Sequence, residues 1–138
     1  MRTIRTRAFS LVELMVAVVV VGTIATFAIP KYTRYTERTY RDDAIKQLTV
    51  IYIANNEYYL KSNPKSYWPG AGGNFDVSAI NSNLGLTIIE NGMTYTCAGT
   101  SATFTCTAVR NAATPFTITV TQAALSAANP SCTSGACP

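Results

Sequence analysis

The chain has 138 residues, of which 13% are charged and 48% are hydrophobic, and its formal net charge is +4 at pH 7. It has no histidine, no clustered carboxylates, no glycine-rich phosphate loop and no nucleophile beside a base, so it lacks the groups that most enzymes use. We therefore expect one small domain that is not an enzyme and that needs no metal or cofactor.

Three arginines precede a long apolar segment, with no acidic residue among them. Arg2, Arg5 and Arg7 carry most of the net charge, because the rest of the chain holds eight basic and seven acidic residues. Basic residues beside an apolar segment stay in the cytoplasm and direct the following residues outward. We interpret this charge as a topology signal.

The apolar segment from Phe9 to Ile29 contains one charged residue, Glu13, in 21 residues. As a helix it would extend roughly 31 Å, which is enough to cross a membrane. A carboxylate at membrane depth is costly and needs a partner, which this segment does not contain. A cleaved signal peptide, with Thr26 and Ala28 before the cut, predicts a shorter and uncharged segment. A plain uncleaved anchor leaves Glu13 unpaired.

The stretch RAFSLVELMV resembles the processing site of type IV prepilins. In that family a short basic leader ends in a small residue, a phenylalanine follows, and a glutamate stands four residues further on. The resemblance implies a leader of residues 1–8 that is cut after Ala8, and a mature chain that begins at N-methylated Phe9. The family mostly has glycine where this chain has Ala8, and we expect cleavage to survive that replacement.

The resemblance continues along the helix through Gly22 and Pro30, which match a helix-loosening glycine and a kinking proline of type IV pilins. It implies that residues 9–30 form the membrane-spanning helix and later the filament core. The new amine of Phe9 in one subunit would then meet the Glu13 carboxylate of another. This arrangement supplies the partner that Glu13 needs.

Type IV pilins are structural subunits, so the resemblance implies a specific life cycle. The chain would be stored in the bacterial inner membrane with a cytoplasmic N-terminus, and prepilin peptidase would cleave and methylate it. The pilus assembly machinery would then polymerise it with other pilin subunits into an extracellular fibre for adhesion, twitching motility or DNA uptake. A type II secretion pseudopilin is the nearest alternative, although its calcium site needs acidic residues that this chain lacks after Glu90. A single-span anchored periplasmic binding domain is a further alternative.

The globular part is predicted over residues 31–138. No proline occurs between Pro30 and Pro64, so the helix is expected to continue to about Leu60. Its packing face is predicted from residues at three- and four-residue steps, namely Ala44, Leu48, Ile51, Asn55 and Tyr59. Residues 61–85 are predicted to be a loop, because NPKSYWPGAGGN is dense in proline, glycine and serine.

Short alternating stretches follow and predict strands. They are LTII, TYTCA, FTCTAV and FTITVT, at residues 86–89, 94–98, 104–109 and 116–121. We expect an α+β fold in which three or four antiparallel strands over 86–121 cover the long, kinked helix, and this matches the pilin α/β roll. Residues 122–138 are then an exposed tail.

Four cysteines lie in the last third of the chain, beyond the segment that would export them. Cys97 with Cys106 and Cys132 with Cys137 are the favoured disulfides, although four cysteines allow three connectivities and a crossed pairing stays open. Zinc is not favoured, because neither spacing is the close two-residue kind. The resemblance to pilins implies that the bracketed tail is an exposed recognition surface, with a host surface as one candidate partner. A bridge that only stabilises the fold is equally consistent with the sequence.

A basic stripe on the predicted helix comprises Lys31, Arg34, Arg38 and Arg41. DNA phosphate is one candidate partner for this stripe. Glu37, Asp42 and Asp43 are interleaved with it, so pairing within or between subunits is favoured. The eight tyrosines suggest electron-conducting aromatics, but Tyr52, Tyr58, Tyr59 and Tyr95 fit core or half-buried positions better.

Overall fold

The computed structural model of the chain describes residues 9–70, 72–112, 115–135 and 137, and for residues 27–30 only the backbone is described. The chain divides into two compact units, Met1–Thr36 and Glu37–Pro138. In order, the elements are α1 (Leu11–Lys61), α2 (Val77–Leu84), β1 (Thr94–Gly99), β2 (Phe104–Arg110), β3 (Phe116–Thr121) and β4 (Ser131–Gly135).

The long helix predicted from the sequence is confirmed as α1, which runs through Gly22 and Pro30 without interruption. Its two ends suit the helix dipole, since Glu13 lies in the first turn and Lys61 in the last. Lys61 also contacts Glu57 one turn earlier at 2.5 Å, and this hydrogen bond lowers the pKa of the Glu57 carboxyl. Both side chains are largely exposed, so the pair adds little to stability.

The core of the second unit lies between α1 and the inner face of the sheet. Ala44, Leu48, Ile51 and Asn55 are fully buried, which confirms the predicted packing face, and Tyr59 is half-buried at its end. Alternate residues of β1, β2 and β3 pack against them, and the buried ones are Tyr95, Cys97, Phe104, Cys106, Ala108, Phe116, Ile118 and Val120. The alternation read from the sequence therefore gives the correct inward face.

The sheet has four antiparallel strands in the order β1-β2-β3-β4, which confirms the predicted α+β architecture. Its outer face is rich in threonine, which fills most of the positions between the buried ones on β1, β2 and β3. Thr96 lies opposite Thr107 with their hydroxyl oxygens 2.8 Å apart. Thr119 and Thr133 make a similar contact at 2.9 Å between β3 and β4.

The prediction of a strand at residues 86–89 is wrong. The Asn81 side chain accepts a hydrogen bond from the Ile88 amide at 2.7 Å and donates one to the Ile88 carbonyl at 3.0 Å. The Gln47 side chain does the same to the Ile89 backbone, with both distances 3.3 Å. Amide side chains thus replace the neighbouring strand that this apolar stretch would otherwise require.

Helix α2 lies inside the segment that was predicted to be a loop. Its N-cap is Asp76, whose carboxylate accepts a hydrogen bond from the Ala79 amide at 3.0 Å, and its C-cap is Gly85 with φ 65°. Both caps are readable in the sequence. The helix is only 8 residues long, and the glycine-rich stretch before it conceals the pattern.

Strand β4 lies in the segment that was predicted to be an exposed tail. The strand follows Asn129, a buried residue whose side chain accepts a hydrogen bond from the Thr121 amide at 3.0 Å and donates one to the Thr121 carbonyl at 3.1 Å. This pair of bonds ties the returning chain to the end of β3. At the other end of β4, Gly135 has φ +88°, and a side chain there would collide with the Pro115 carbonyl.

The loop after α1 is attached to the helix by Asn55. This side chain donates to the Trp68 carbonyl at 2.7 Å and accepts from the Trp68 amide at 2.9 Å. Both partners are buried, so neither backbone group has water as an alternative. The Trp68 ring then packs against Phe75, with ring centroids 5.4 Å apart.

Replacing Asn55 by alanine should therefore destabilise the second unit. We expect a loss of about 2 to 3 kcal/mol in the free energy of unfolding, because two buried backbone groups lose their partner. Asn56→Ala is the matched control, since the Asn56 side chain donates to the Tyr52 carbonyl of its own helix. Urea unfolding of the full chain in detergent measures both, and equal losses would contradict this role of Asn55.

Tyr95 is fully buried on β1, and its hydroxyl has no hydrogen-bond partner among the described residues. Burial raises the pKa of Tyr95 to about 12, and the charges of Asp43 and Glu90 act in the same direction. The core therefore favours the neutral phenol strongly. The unpaired hydroxyl is also a cost that the fold carries.

Tyr95→Phe tests this assignment through alkaline unfolding. The folded pKa of about 12 exceeds the ordinary 10.0, so the buried neutral phenol stabilises the fold below pH 10, and this contribution is lost as the pH rises through 12. Between pH 10.0 and about 12, the free energy of unfolding of the parent should fall by up to about 1.4 kcal/mol per pH unit more than that of Tyr95→Phe. Circular dichroism of both chains measures this difference. Identical pH profiles would mean that the hydroxyl is not buried.

Candidate assembly site

The first half of α1 is apolar and uncovered. None of the described side chains from residue 9 to residue 26 is buried, and Phe9 and Leu11 are 75% and 74% exposed. Within the described residues, α1 is the one helix long and apolar enough to cross a membrane. A helix that is apolar on all sides must be covered by lipid or by other protein.

Glu13 projects from this apolar surface in the first turn of α1. Its side chain is exposed, and among the described residues it makes no hydrogen bond or ion pair. Phe9, the predicted mature N-terminus, is also exposed and lies four residues earlier. Ala8, on the other side of the predicted cut, lies outside the described residues. Whether Glu13 pairs with the Phe9 amine of another subunit stays a prediction.

Gly22 lies on the same exposed surface, and a Cβ atom added there would meet nothing within 4 Å. Packing inside this chain therefore does not require glycine. Thr26 donates a side-chain hydrogen bond to the Gly22 carbonyl at 2.9 Å, which is the kind of bond that bends helices slightly. Pro30 is part of the helix backbone, and the predicted kink beside it stays a prediction.

The basic residues predicted as a stripe are not all alike. In the first unit, Lys31 and Arg34 are exposed. In the second unit, Arg38 is exposed and Arg41 is half-buried. Glu37, which was expected to pair with these residues, is bound by an arginine from the sheet. Pairing between the stripe and the acids interleaved with it stays a prediction. The use of the four basic residues for DNA stays a prediction.

Arg110, at the end of β2, is that arginine, and sequence reasoning missed it. Its Nε and Nη2 atoms donate to the two Glu37 oxygens at 3.1 and 3.3 Å, and Nη1 donates to the Gly92 carbonyl at 2.7 Å. The guanidinium also lies 3.7 Å from the centre of the Tyr40 ring. The hydrogen bond with Glu37 raises the pKa of Arg110. One signal was available, since Arg110 is the sole charged residue after Glu90.

Cys97 and Cys106 form a disulfide between β1 and β2, as predicted. They lie directly opposite each other, and the Cys97 backbone groups bond to Phe75 on the other side of the strand. The cysteines are thus a non-hydrogen-bonded pair, in which antiparallel Cα atoms come closest, and here they are 4.1 Å apart.

The tail cysteines lie on β4 and just beyond its end. The Cα atoms of Cys132 and Cys137 are 6.4 Å apart, which a disulfide can span, and their pairing as a functional bracket stays a prediction. Cys132 lies on β4 rather than in a free loop. Among the described residues, no group of three or more histidine, cysteine, aspartate or glutamate side chains is arranged to hold a metal ion.

The tyrosines are distributed between core and surface. Tyr95 is buried, Tyr52 and Tyr59 are half-buried, and Tyr58 is 38% exposed. The Tyr59 ring stacks on Tyr67 with centroids 4.5 Å apart. These contacts suit packing of the loop against α1.

Comparison with known proteins finds one family model and several relatives that each match part of the chain. The family described as "Prokaryotic N-terminal methylation motif" matches residues 4–29. The chain is 33% identical over 55 residues to the "Type IV major pilin protein PilA" of Myxococcus xanthus (strain DK1622). It is 38% identical over 64 residues to a "Fimbrial protein" of Neisseria meningitidis serogroup B. It is also 38% identical over 55 residues to a "Fimbrial protein" of Pseudomonas aeruginosa.

These matches cover only part of each protein. They include 40%, 46% and 40% of this chain and 25%, 36% and 36% of the three relatives, in the same order. The chain therefore spans between a quarter and little more than a third of the curated relatives that it matches. No solved structure matches it.

Replacing Arg110 by lysine tests the contact that joins the sheet to α1. Lysine keeps the positive charge but cannot make the forked contact with Glu37, so we expect a loss of about 1 to 3 kcal/mol in the free energy of unfolding. Arg38→Lys is the matched control on an exposed part of α1. We expect it to change stability by less than about 0.5 kcal/mol. If both variants were as stable as the parent in urea, the Arg110 contact would be energetically irrelevant.

Proposed function

We propose that this chain is a type IV pilin and acts as a structural subunit of an extracellular filament. The methylation motif and the fimbrial relatives support this identification. Membership in this family implies association with other pilin subunits and a role that is generally not enzymatic. The observation that carries the proposal is the uncovered apolar half of α1 with Glu13 projecting from it.

In our proposal this helix has two successive environments. Before assembly it spans the inner membrane with the N-terminus in the cytoplasm, and prepilin peptidase cuts between Ala8 and Phe9 and methylates the new amine. After assembly the same side chains pack against the helices of other subunits. Lipid tails and apolar side chains both cover the exposed valines and leucines, so the surface suits either environment.

Glu13 makes the two environments different. In lipid its charge is unpaired and costly, whereas in a staggered filament it meets the positive amine of Phe9 in another subunit. Desolvation of both charges offsets much of their attraction, so the pair contributes more to correct register than to total stability. A subunit added out of register would leave both charges buried without partners.

Two alternatives make different demands on the chain. A type II secretion pseudopilin shares the processing motif, but no carboxylate is available after Glu90 for its calcium site. The Cys97–Cys106 disulfide suits an exported domain in either case. A single-span anchored periplasmic domain would keep its leader, so processing separates it from both filament proteins.

Mass spectrometry of the N-terminal peptide tests the proposed processing directly. Protein from the native envelope or from sheared filaments should begin at a methylated phenylalanine, Phe9. A chain that still begins at Met1 would indicate an anchored domain. A chain that begins at Ile29 would indicate a cleaved signal peptide, and either start would overturn the proposal.

Replacing Glu13 by alanine tests the assembly step. We expect at least a tenfold loss of sheared filaments with unchanged folding of the second unit, because a register error costs more than about 1.4 kcal/mol per subunit. Glu57→Ala is the matched control, since Glu57 is an exposed acid of the same helix that lies outside the apolar half. Normal filament yield from Glu13→Ala would contradict the proposed pairing. The assembled fibre is then assayed for adhesion, motility and DNA uptake.

A further inference from the structure

A short aromatic and basic segment, Lys31-Tyr32-Thr33-Arg34-Tyr35, follows the apolar half of α1. Tyr32 and Tyr35 are 73% and 72% exposed, and Lys31 and Arg34 are exposed as well. All four residues belong to the first unit. We call these four residues, Lys31, Tyr32, Arg34 and Tyr35, the anchor segment.

The length of the apolar helix places the anchor segment at a defined depth. The 19 residues of α1 from Leu11 to Ile29 extend roughly 28 Å, close to the hydrocarbon thickness of about 30 Å. The next turn of helix then enters the headgroup layer on the outer side. This step rests on the proposed membrane-stored state.

The charges of Lys31 and Arg34 have no acidic counterpart in their own unit. Glu13 is the one acidic residue among residues 1–36, and it lies roughly 27 Å from Lys31 along the helix. The next acid along the chain, Glu37, is engaged by both donor groups of the Arg110 fork. The sequence of the first unit therefore supplies no nearby acidic residue for these two exposed cations.

Topology alone does not account for these two residues. The usual distribution places lysine and arginine on the cytoplasmic flank and leaves the opposite flank poor in them. Here the outer flank has two basic residues within the first five positions after Pro30. Headgroup phosphates would neutralise them, and the long side chains reach toward phosphate while their stems remain in apolar surroundings.

The two tyrosines point to the same partner. Tyrosine is enriched where membrane meets water, because its ring is apolar and its hydroxyl is polar. Double-stranded DNA shares the phosphate chemistry, but it offers no apolar layer for two exposed phenol rings beside the cations. We propose that the anchor segment binds the headgroups of anionic lipids and fixes the depth of the subunit in the membrane.

Lipid retention in native mass spectrometry tests the charge recognition. The full chain is purified in mild detergent with equal amounts of phosphatidylglycerol and phosphatidylcholine. We expect the parent to retain at least about fivefold more phosphatidylglycerol, and Lys31→Gln with Arg34→Gln to lose this preference. Lys46→Gln with Lys61→Gln is the matched control, because both lysines are exposed on the same helix. Equal retention of the two lipids by the parent would overturn the proposal.

Tryptophan fluorescence in vesicles tests the depth. Tyr35→Trp should be quenched by lipids brominated near the headgroup, whereas Tyr58→Trp, further along α1, should not. The natural tryptophan, Trp68, is buried, so the parent gives the background signal. Equal quenching at positions 35 and 58 would overturn the interfacial placement.

A DNA mobility shift distinguishes the other phosphate source. Retardation of a duplex oligonucleotide that is lost in the Lys31→Gln and Arg34→Gln double variant, without any lipid preference, would assign the segment to nucleic acid and overturn the proposal. The result is separable from that of the filament proposal. A chain that begins at Met1 would contradict pilin processing. A preference of that chain for anionic lipid would still support lipid binding by the anchor segment.

Discussion

The structure depends on one unmet requirement, which is that the apolar first half of α1 has nothing in its own unit to cover it. Side chains are exposed around the whole circumference, so no rotation of the helix could hide them. At about 25 cal/mol for each Å² of apolar surface, leaving this segment in water costs more than a small domain can offset. Lipid or neighbouring subunits must supply the missing surface. In the proposed filament a single carboxylate, Glu13, distinguishes the two coverings, because only neighbouring subunits would bring the Phe9 amine to it.

The second unit follows a different rule, in which amide side chains organise irregular backbone. The amides of Asn55, Asn81, Gln47 and Asn129 each bond to both the N–H and the C=O of one distant residue. Each one takes the place of a strand neighbour where the sheet does not extend. Three of these amides, those of Asn55, Asn81 and Gln47, therefore hold Trp68, Ile88 and Ile89 in place outside the sheet.

Features set by local pattern were predictable from the sequence. The second half of α1 followed from the absence of proline and glycine after Pro30, and the inward face of β1 to β3 followed from alternation. The Cys97–Cys106 pair followed from facing positions in a hairpin. Features set by contacts distant in sequence were missed. The sequence around Ile88 has a strand pattern, but the Asn81 side chain takes up the backbone hydrogen bonds that a neighbouring strand would make. Arg110 has the sequence context of an ordinary surface charge, but in the structure it pairs with Glu37.

The assembly residues were read from a motif, and in this chain they make few contacts that would reveal them. Gly22 touches nothing that its glycine character would explain, and Glu13 makes no bond among the described residues. In the proposed filament, other subunits would supply the contacts that these residues lack in the single chain. A single folded chain therefore carries little physical information about its most specialised positions.

The ion pair of Arg110 has a wider consequence, because Arg110 is the sole charged side chain after Glu90 and Glu37 neutralises it. What the sheet presents to its surroundings is threonine hydroxyls and methyl groups without fixed side-chain charge. Mobile ions have little there to screen, and changes in acidity have little to titrate. The affinity of contacts made through this face should therefore change little between low and high ionic strength, since geometry and hydration govern these contacts rather than Coulomb forces.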